Sequence, residues 1–179
     1  MERYRLQILR IVLYWCLLGP SVCIGQRLNL LDTAKSYVGI MEATGRNDGP
    51  EVERFLSLVG FDAGVPWCAA FTSYIYWSNG LENPMSAWSP TWGLRKDVIW
   101  QAGQPIRAAM VKVRPGDAFT IYYSSKQRIG HVGLVYYATP EYLYTIEGNT
   151  NAEGSREGNG VWVRKRKWSQ IYRITTYIR

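Results

Sequence analysis

The sequence of 179 residues is 47% hydrophobic and 14% aromatic, with a formal net charge of +7. A chain of this length closes one core and is too short to divide comfortably into two, and its mixed charges, with no long polar tract, exclude extensive disorder. The basic excess suits a polyanionic partner and says nothing about fold.

Residues 1–25 differ from the rest. Glu2, Arg3, Arg5 and Arg10 precede an apolar run from Ile11 to Leu18, and the small residues Gly19, Ser21 and Gly25 follow. The run falls short of the roughly 20 residues that a membrane-crossing helix needs. The pattern predicts an export signal cleaved after Cys23 or Gly25, ahead of an uncleaved anchor. A lipoprotein signal ending at Cys23 ranks lower, because Val22 stands where a small residue is wanted. Cleavage removes three arginines and one glutamate, lowering the charge from +7 to +5, and leaves residues 26–179 as one domain. It also removes Cys16 and Cys23, so Cys68 has no partner within the chain. A lone thiol in an exported protein is an intermolecular disulfide, a buried inert group or a reactive nucleophile.

Along the domain, Leu28, Leu31, Ala34, Tyr37 and Val38 recur at helical spacing and predict a helix from Leu28 to Ile40. Pro50 opens a second, with Val52, Phe55, Leu56 and Val59 on one face before Gly60. A third starts at Pro66 and stops at Asn79 and Gly80, which puts Cys68 in its first turn. Between Leu81 and Gly103 the chain is irregular and rich in Pro and Trp, with one short helix expected near Leu94 to Ala102. Runs of β-branched and aromatic residues then predict strands at Ala118–Tyr123, His131–Ala138, Tyr142–Glu147, Val161–Lys167 and Ile171–Ile178. Arg114-Pro115-Gly116-Asp117 is a tight turn into the first. Helices followed by strands give an α+β fold, N-terminal helices packed on an antiparallel sheet of about five to six strands.

A thiol at a helix start lies near backbone N–H groups that lack intrahelical partners. The helix dipole there favours thiolate, and the same amides suit an oxyanion. From Cys68 alone, a buried packing residue beside Phe71, Tyr74 and Ile75 is an equal alternative. His131, the single histidine, opens a strand as Gly130-His131-Val132-Gly133, where a ring at a sheet edge is able to take a proton from a thiol. The neighbouring strand ends in Glu147-Gly148-Asn149, and antiparallel pairing brings either Glu147 or Asn149 towards the imidazole to fix its tautomer. Asn149 serves equally well as a turn former. The basic residues Arg164, Lys165, Arg166 and Lys167 read as a solvated strand face and turn ahead of a nucleic-acid patch, and Trp88, Trp92, Tyr122 and Tyr123 as core packing ahead of the lining of a glycan or peptide groove.

Together, Pro66-Trp67-Cys68-Ala69-Ala70-Phe71, Arg114-Pro115-Gly116-Asp117, Gly130-His131-Val132-Gly133 and Glu147-Gly148-Asn149 resemble, in order and separation, the CHAP domains. These are cysteine- and histidine-dependent amidohydrolases/peptidases of the papain-like NlpC/P60 superfamily. The resemblance covers Leu30 to Tyr177. It implies a papain-like fold, Cys68 as nucleophile, His131 as base, and Glu147 as orienting group with Asn149 assisting. It also implies cleavage of a peptidoglycan amide bond, either between sugar and stem or within the stem.

Many NlpC/P60 members orient the base with a second histidine, which this chain lacks, so the CHAP branch matches better. No cofactor is expected. Calcium, which some CHAP domains bind, has little support in Arg46-Asn47-Asp48-Gly49 and Glu51, read instead as loop structure and capping of the Pro50 helix, and zinc has less. The expected protein is a monomer in the periplasm or outside the cell. It acts on peptidoglycan, leaves room for an inhibitor or immunity protein, and has no nucleic-acid partner or stable membrane insertion. Two other functions stay open: a non-catalytic envelope-binding protein on the same fold, and an acyltransferase using the same pair.

Overall fold

Leu30, Leu31 and Ala34, spaced to share one helical face, are buried and place the first helix against the sheet. The computed structural model describes residues 23–152 and 158–178, so the predicted export signal lies outside the described residues except for its last three positions. The helices are α1 (23–36), α2 (Pro50–Leu58), α3 (Cys68–Ser78) and α4 (Ile106–Lys112). The strands are β1 (Val98–Gln101), β2 (Ala118–Tyr123), β3 (Arg128–Ala138), β4 (Tyr142–Thr150), β5 (Gly160–Lys167) and β6 (Arg173–Thr175). They form one antiparallel sheet in the order β1-β6-β2-β3-β4-β5. The fold is α+β, as the order of helical and strand patterns requires.

The sheet separates two apolar clusters. On one side Trp67, Phe71 and Ile75 meet Phe55 and Leu56 of α2 and Val132, Leu134 and Ile146 of the central strands. On the other, Phe119, Val135, Leu143 and Ile174 are covered by Ala109 of α4 with Trp100 and Trp168, whose rings meet edge to face at 5.2 Å. Each large side chain so buried contributes about 1.5–3 kcal/mol, offsetting the entropy of ordering the chain.

The boundaries differ from expectation where backbone groups find other partners. α1 stops before residue 40 because Gly39 N–H donates to Val161 O and Ile40 O accepts from Val161 N–H, stitching this segment to β5. The helix expected at Leu94 to Ala102 is absent. Val98, Trp100 and Gln101 pair with β6 instead, with Ile99 skipped at a bulge, after 3-10 turns at Ser89–Gly93 and Arg95–Asp97. α4, following Pro105, had no counterpart in the sequence reading. The last expected strand shrinks to Arg173–Thr175 behind a 3-10 turn at Trp168–Gln170. The Arg114-Pro115-Gly116-Asp117 turn is tied down on both sides: Arg27 of α1 donates to Asp117 and to Pro115 O, and Tyr76 donates to Gly116 O.

Candidate active site

Cys68 is the first residue of α3, preceded by Trp67 as N-cap, and its sulfur is almost fully buried. Burial pushes a thiol up. Here the imidazole of His131, the Ser89 hydroxyl 3.4 Å from the sulfur and the Val132 backbone N–H outweigh that, and the Cys68 thiol lies below its ordinary value. Burial likewise opposes the imidazolium of His131. The charge of Cys68 and the carboxylate of Glu147 prevail, raising His131 to about 9. The two shifts are one statement: thiolate and imidazolium stabilise each other in a largely desolvated setting. His131 Nε2 meets Glu147 Oε2 at 2.8 Å, while Nδ1 is buried without a hydrogen-bond partner among the described residues and is the nitrogen left for the sulfur.

The strands explain how Glu147 gets there. Extending the pairing of Leu134 with Ile146 puts Gly133 opposite Glu147, with His131 its diagonal neighbour on the same face. A Cβ at Gly133 would stand 3.0 Å from Glu147 Cγ and 2.9 Å from the Phe119 ring. Glycine there clears the path along which Glu147 leans to the imidazole. Glu147 also accepts from the Thr145 hydroxyl and takes a two-pronged contact from Arg166 Nε and Nη2. Burial would push its carboxyl up, but Arg166 and His131 draw it down to about 2. Cys68, His131, Glu147 and Arg166 therefore form one buried chain of alternating charge. Arg166 departs from the reading of its segment as a solvated face. Strand alternation exposes Lys165 and Lys167 and turns Arg166 inward.

Asn149 does not reach the histidine. The pairing of β4 with β5 slips between Glu147 and Thr150, and Asn149 adopts a positive φ of 54°, which turns its side chain to the helix side. Its Oδ1 accepts from Trp67 N–H at 3.2 Å, and its Nδ2 donates to Gly158 O and Asn47 Oδ1. Gly148 makes this approach possible, since a Cβ there would lie 2.7 Å from the Trp67 ring and 2.8 Å from Phe71. Asn149 thus fixes Trp67, the residue before Cys68.

Two acidic side chains of the 42–48 loop are similarly engaged. Glu42 accepts from Trp67 Nε1 and Asn47 N–H, and Asp48 from the Thr44 backbone and hydroxyl. These carboxylates serve the loop and Trp67, the N-cap of α3, an arrangement that does not fit an oxygen cage for calcium. Among the described residues no three His, Cys, Asp or Glu side chains gather as metal ligands. Nor does Asp48 cap α2: Glu53 reaches back to Gly49 N–H instead.

The CHAP domain family profile matches residues 60–149. This chain belongs to the CHAP domain family. The match spans the cysteine, the histidine and both β4 polar residues, and it is a family of cysteine peptidases and amidases related to peptidoglycan hydrolases. A solved NlpC/P60 family protein from Bacillus cereus is similar at 18% identity and a TM-score of 0.48, over 86% of this chain. This chain spans 40% of the length of that protein. No curated protein matches.

The CHAP domain opens at Cys68 into a cavity of about 220 Å³, lined by Phe61, Val65, Pro66, Ala87, Trp88, Ser89, Arg128 and Gly130. Beyond Arg128 it continues as a shallow groove past Tyr122, Tyr172 and Arg173. Trp92 is buried as expected, but Trp88 and Tyr122, read as core, are 52% and 42% exposed on this rim. Ser89 and Trp88 lie in the irregular Pro- and Trp-rich stretch, where no periodicity marks which side chain faces the site. A larger open cleft beside Gly80, Leu81 and Tyr177 holds neither a thiol nor an imidazole.

Proposed function

We propose that this CHAP domain is an exported peptidoglycan hydrolase that cleaves an amide bond, between sugar and peptide stem or within the stem. The observation that carries the reading is Cys68, at the start of α3 and lining the 220 Å³ cavity, beside the buried His131 that draws its thiol down as it draws the imidazole up.

The Cys68 thiolate attacks the amide carbonyl, and the negative charge moves to its oxygen, towards the unpaired N–H groups at the start of α3. His131, already protonated, gives its proton to the leaving amine, and the C–N bond breaks to leave a thioester on Cys68. The neutral imidazole then removes a proton from water. The resulting hydroxide attacks the thioester, and thiolate and carboxylic acid separate. Glu147 holds His131 through Nε2 across both steps and stabilises the imidazolium, with Arg166 behind it keeping the carboxylate ionised. An anionic wall polymer suits an exported domain left with a net charge of +5 once residues 1–25 are removed.

The test is digestion of purified peptidoglycan by the protein and by its Cys68→Ala variant, with mass spectrometry of released fragments. The expected result is fragments ending in a newly freed amine and carboxylate, lost by about a thousandfold or more in the variant. Equal release by both proteins, or none by either across several wall types, refutes the proposal.

A further inference from the structure

Arg128 opens the strand that carries His131 and lines both the Cys68 cavity and the groove beyond it. Its guanidinium lies over the exposed ring of Trp88, 4.1 Å from the centroid, and donates to the backbone oxygen of Ile129. The rest of its five N–H groups have no carboxylate partner among the described residues. Arg173, further along the groove, is set in the same way, over the Tyr172 ring at 4.7 Å and bonded to Gly93 O, again without a carboxylate. The aromatic contact holds each guanidinium over a ring and leaves N–H groups beyond those bonded to backbone oxygens, the fork that meets a carboxylate in two places; on Arg173 the buried Nε is not among them. Arg166, in contrast, already has its carboxylate in Glu147.

We propose that Arg128, extended by Arg173, is a carboxylate-reading subsite, and that the enzyme selects amide substrates bearing a free carboxylate beside the scissile bond. This rests on the hydrolase reading above and narrows it to acidic substrates. Arg128 stands three positions from His131 on one strand, and the bulge at Gly130 shortens that span to two residue steps of β2, about 7 Å at strand rise. The carboxylate it reads therefore belongs within about three residues of the cleaved amide. Peptide stems with free side-chain or α-carboxylates meet this requirement, and stems with those groups amidated do not.

The experiment compares peptidoglycan carrying free stem carboxylates with the same material after carbodiimide conversion of those groups to amides. The protein is expected to digest the free form about ten- to a hundredfold faster, the range of a charged hydrogen-bonded pair. Arg128→Gln is expected to lose that preference and to digest both slowly, with Arg128→Lys between. Equal digestion of both forms by the unmodified protein, or a preference undiminished in Arg128→Gln, overturns the subsite and leaves the hydrolase standing. If neither form is digested, the wall reading fails, and the alkylation rates of Cys68 by iodoacetate and iodoacetamide decide. An iodoacetate-to-iodoacetamide ratio several-fold lower in Arg128→Gln keeps the subsite for some other acidic amide; an unchanged ratio, or no alkylation at all, overturns it.

Discussion

The interior of the sheet around His131 and the rim at the start of β3 solve opposite problems with the same residue types. In the interior, His131, Glu147 and Arg166 satisfy one another, so that the imidazole, carboxylate and guanidinium have one arrangement. On the rim, Arg128 and Arg173 rest on aromatic faces with their edges uncommitted. An arginine that has found its carboxylate within the fold holds geometry, and one that has not is poised to hold something else. Interior changes should therefore act on turnover and stability, and rim changes on substrate capture.

The sharpest challenge to that division is Glu147→Gln. It removes the anion that holds the imidazolium and leaves Arg166 buried against a neutral amide. kcat is expected to fall about 10³- to 10⁴-fold, and stability by about 3 kcal/mol, read from steady-state kinetics and urea unfolding. A loss of turnover with unchanged stability would mean that Arg166 does not depend on Glu147.

Next in size is the response to pH. His131, raised to about 9, contributes stability that is full below its ordinary 6.5 and lost as pH rises through about 9. Glu147, lowered to about 2, contributes above its ordinary 4.5 and is lost as pH falls towards about 2. Turnover should hold a plateau that ends near pH 9 and then drop by about tenfold per unit as the imidazolium loses its proton. A pH–rate profile that fell off near 6.5 would place the histidine outside the pair. The smallest effect belongs to the rim: Trp88→Ala frees the Arg128 side chain from its stacking partner and should raise KM about two- to fivefold, acting more on KM than on kcat. A larger fall in kcat than rise in KM would merge the two regions.

Much of this arrangement was legible before any coordinates. Cys68, His131 and Glu147 sit where regular signals converge: a proline-led helix start, a glycine-flanked strand start and the end of the adjoining strand. The sequence leaves Glu147 and Asn149 as alternatives beside the imidazole; the irregularity between Glu147 and Thr150 turns the Asn149 side chain to Trp67, and a one-residue slip in pairing leaves no mark in composition. Arg166 was missed because a run of four cations reads as solvated, although alternation along a strand already predicts that only every second one faces water. Trp88 and Tyr122 were given to the core because aromatic content measures burial on average and not at a given rim position. β1 and α4 escaped notice because four and seven residues are too few to establish a period.

The ties that hold the start of α3 also bear on when the protein becomes reactive. Trp67 is joined to Glu42 across 25 positions of sequence and to Asn149 across 82, and Asn149 is joined to Asn47 across 102. Closing loops of that length is a late and cooperative event in folding, paid in entropy before any contact rewards it. A chain with its strands still unpaired carries at position 68 only an ordinary thiol, far from any imidazole. On the hydrolase reading proposed above, full reactivity arrives together with the native topology, so a half-made copy would have no active nucleophile to turn on its neighbours.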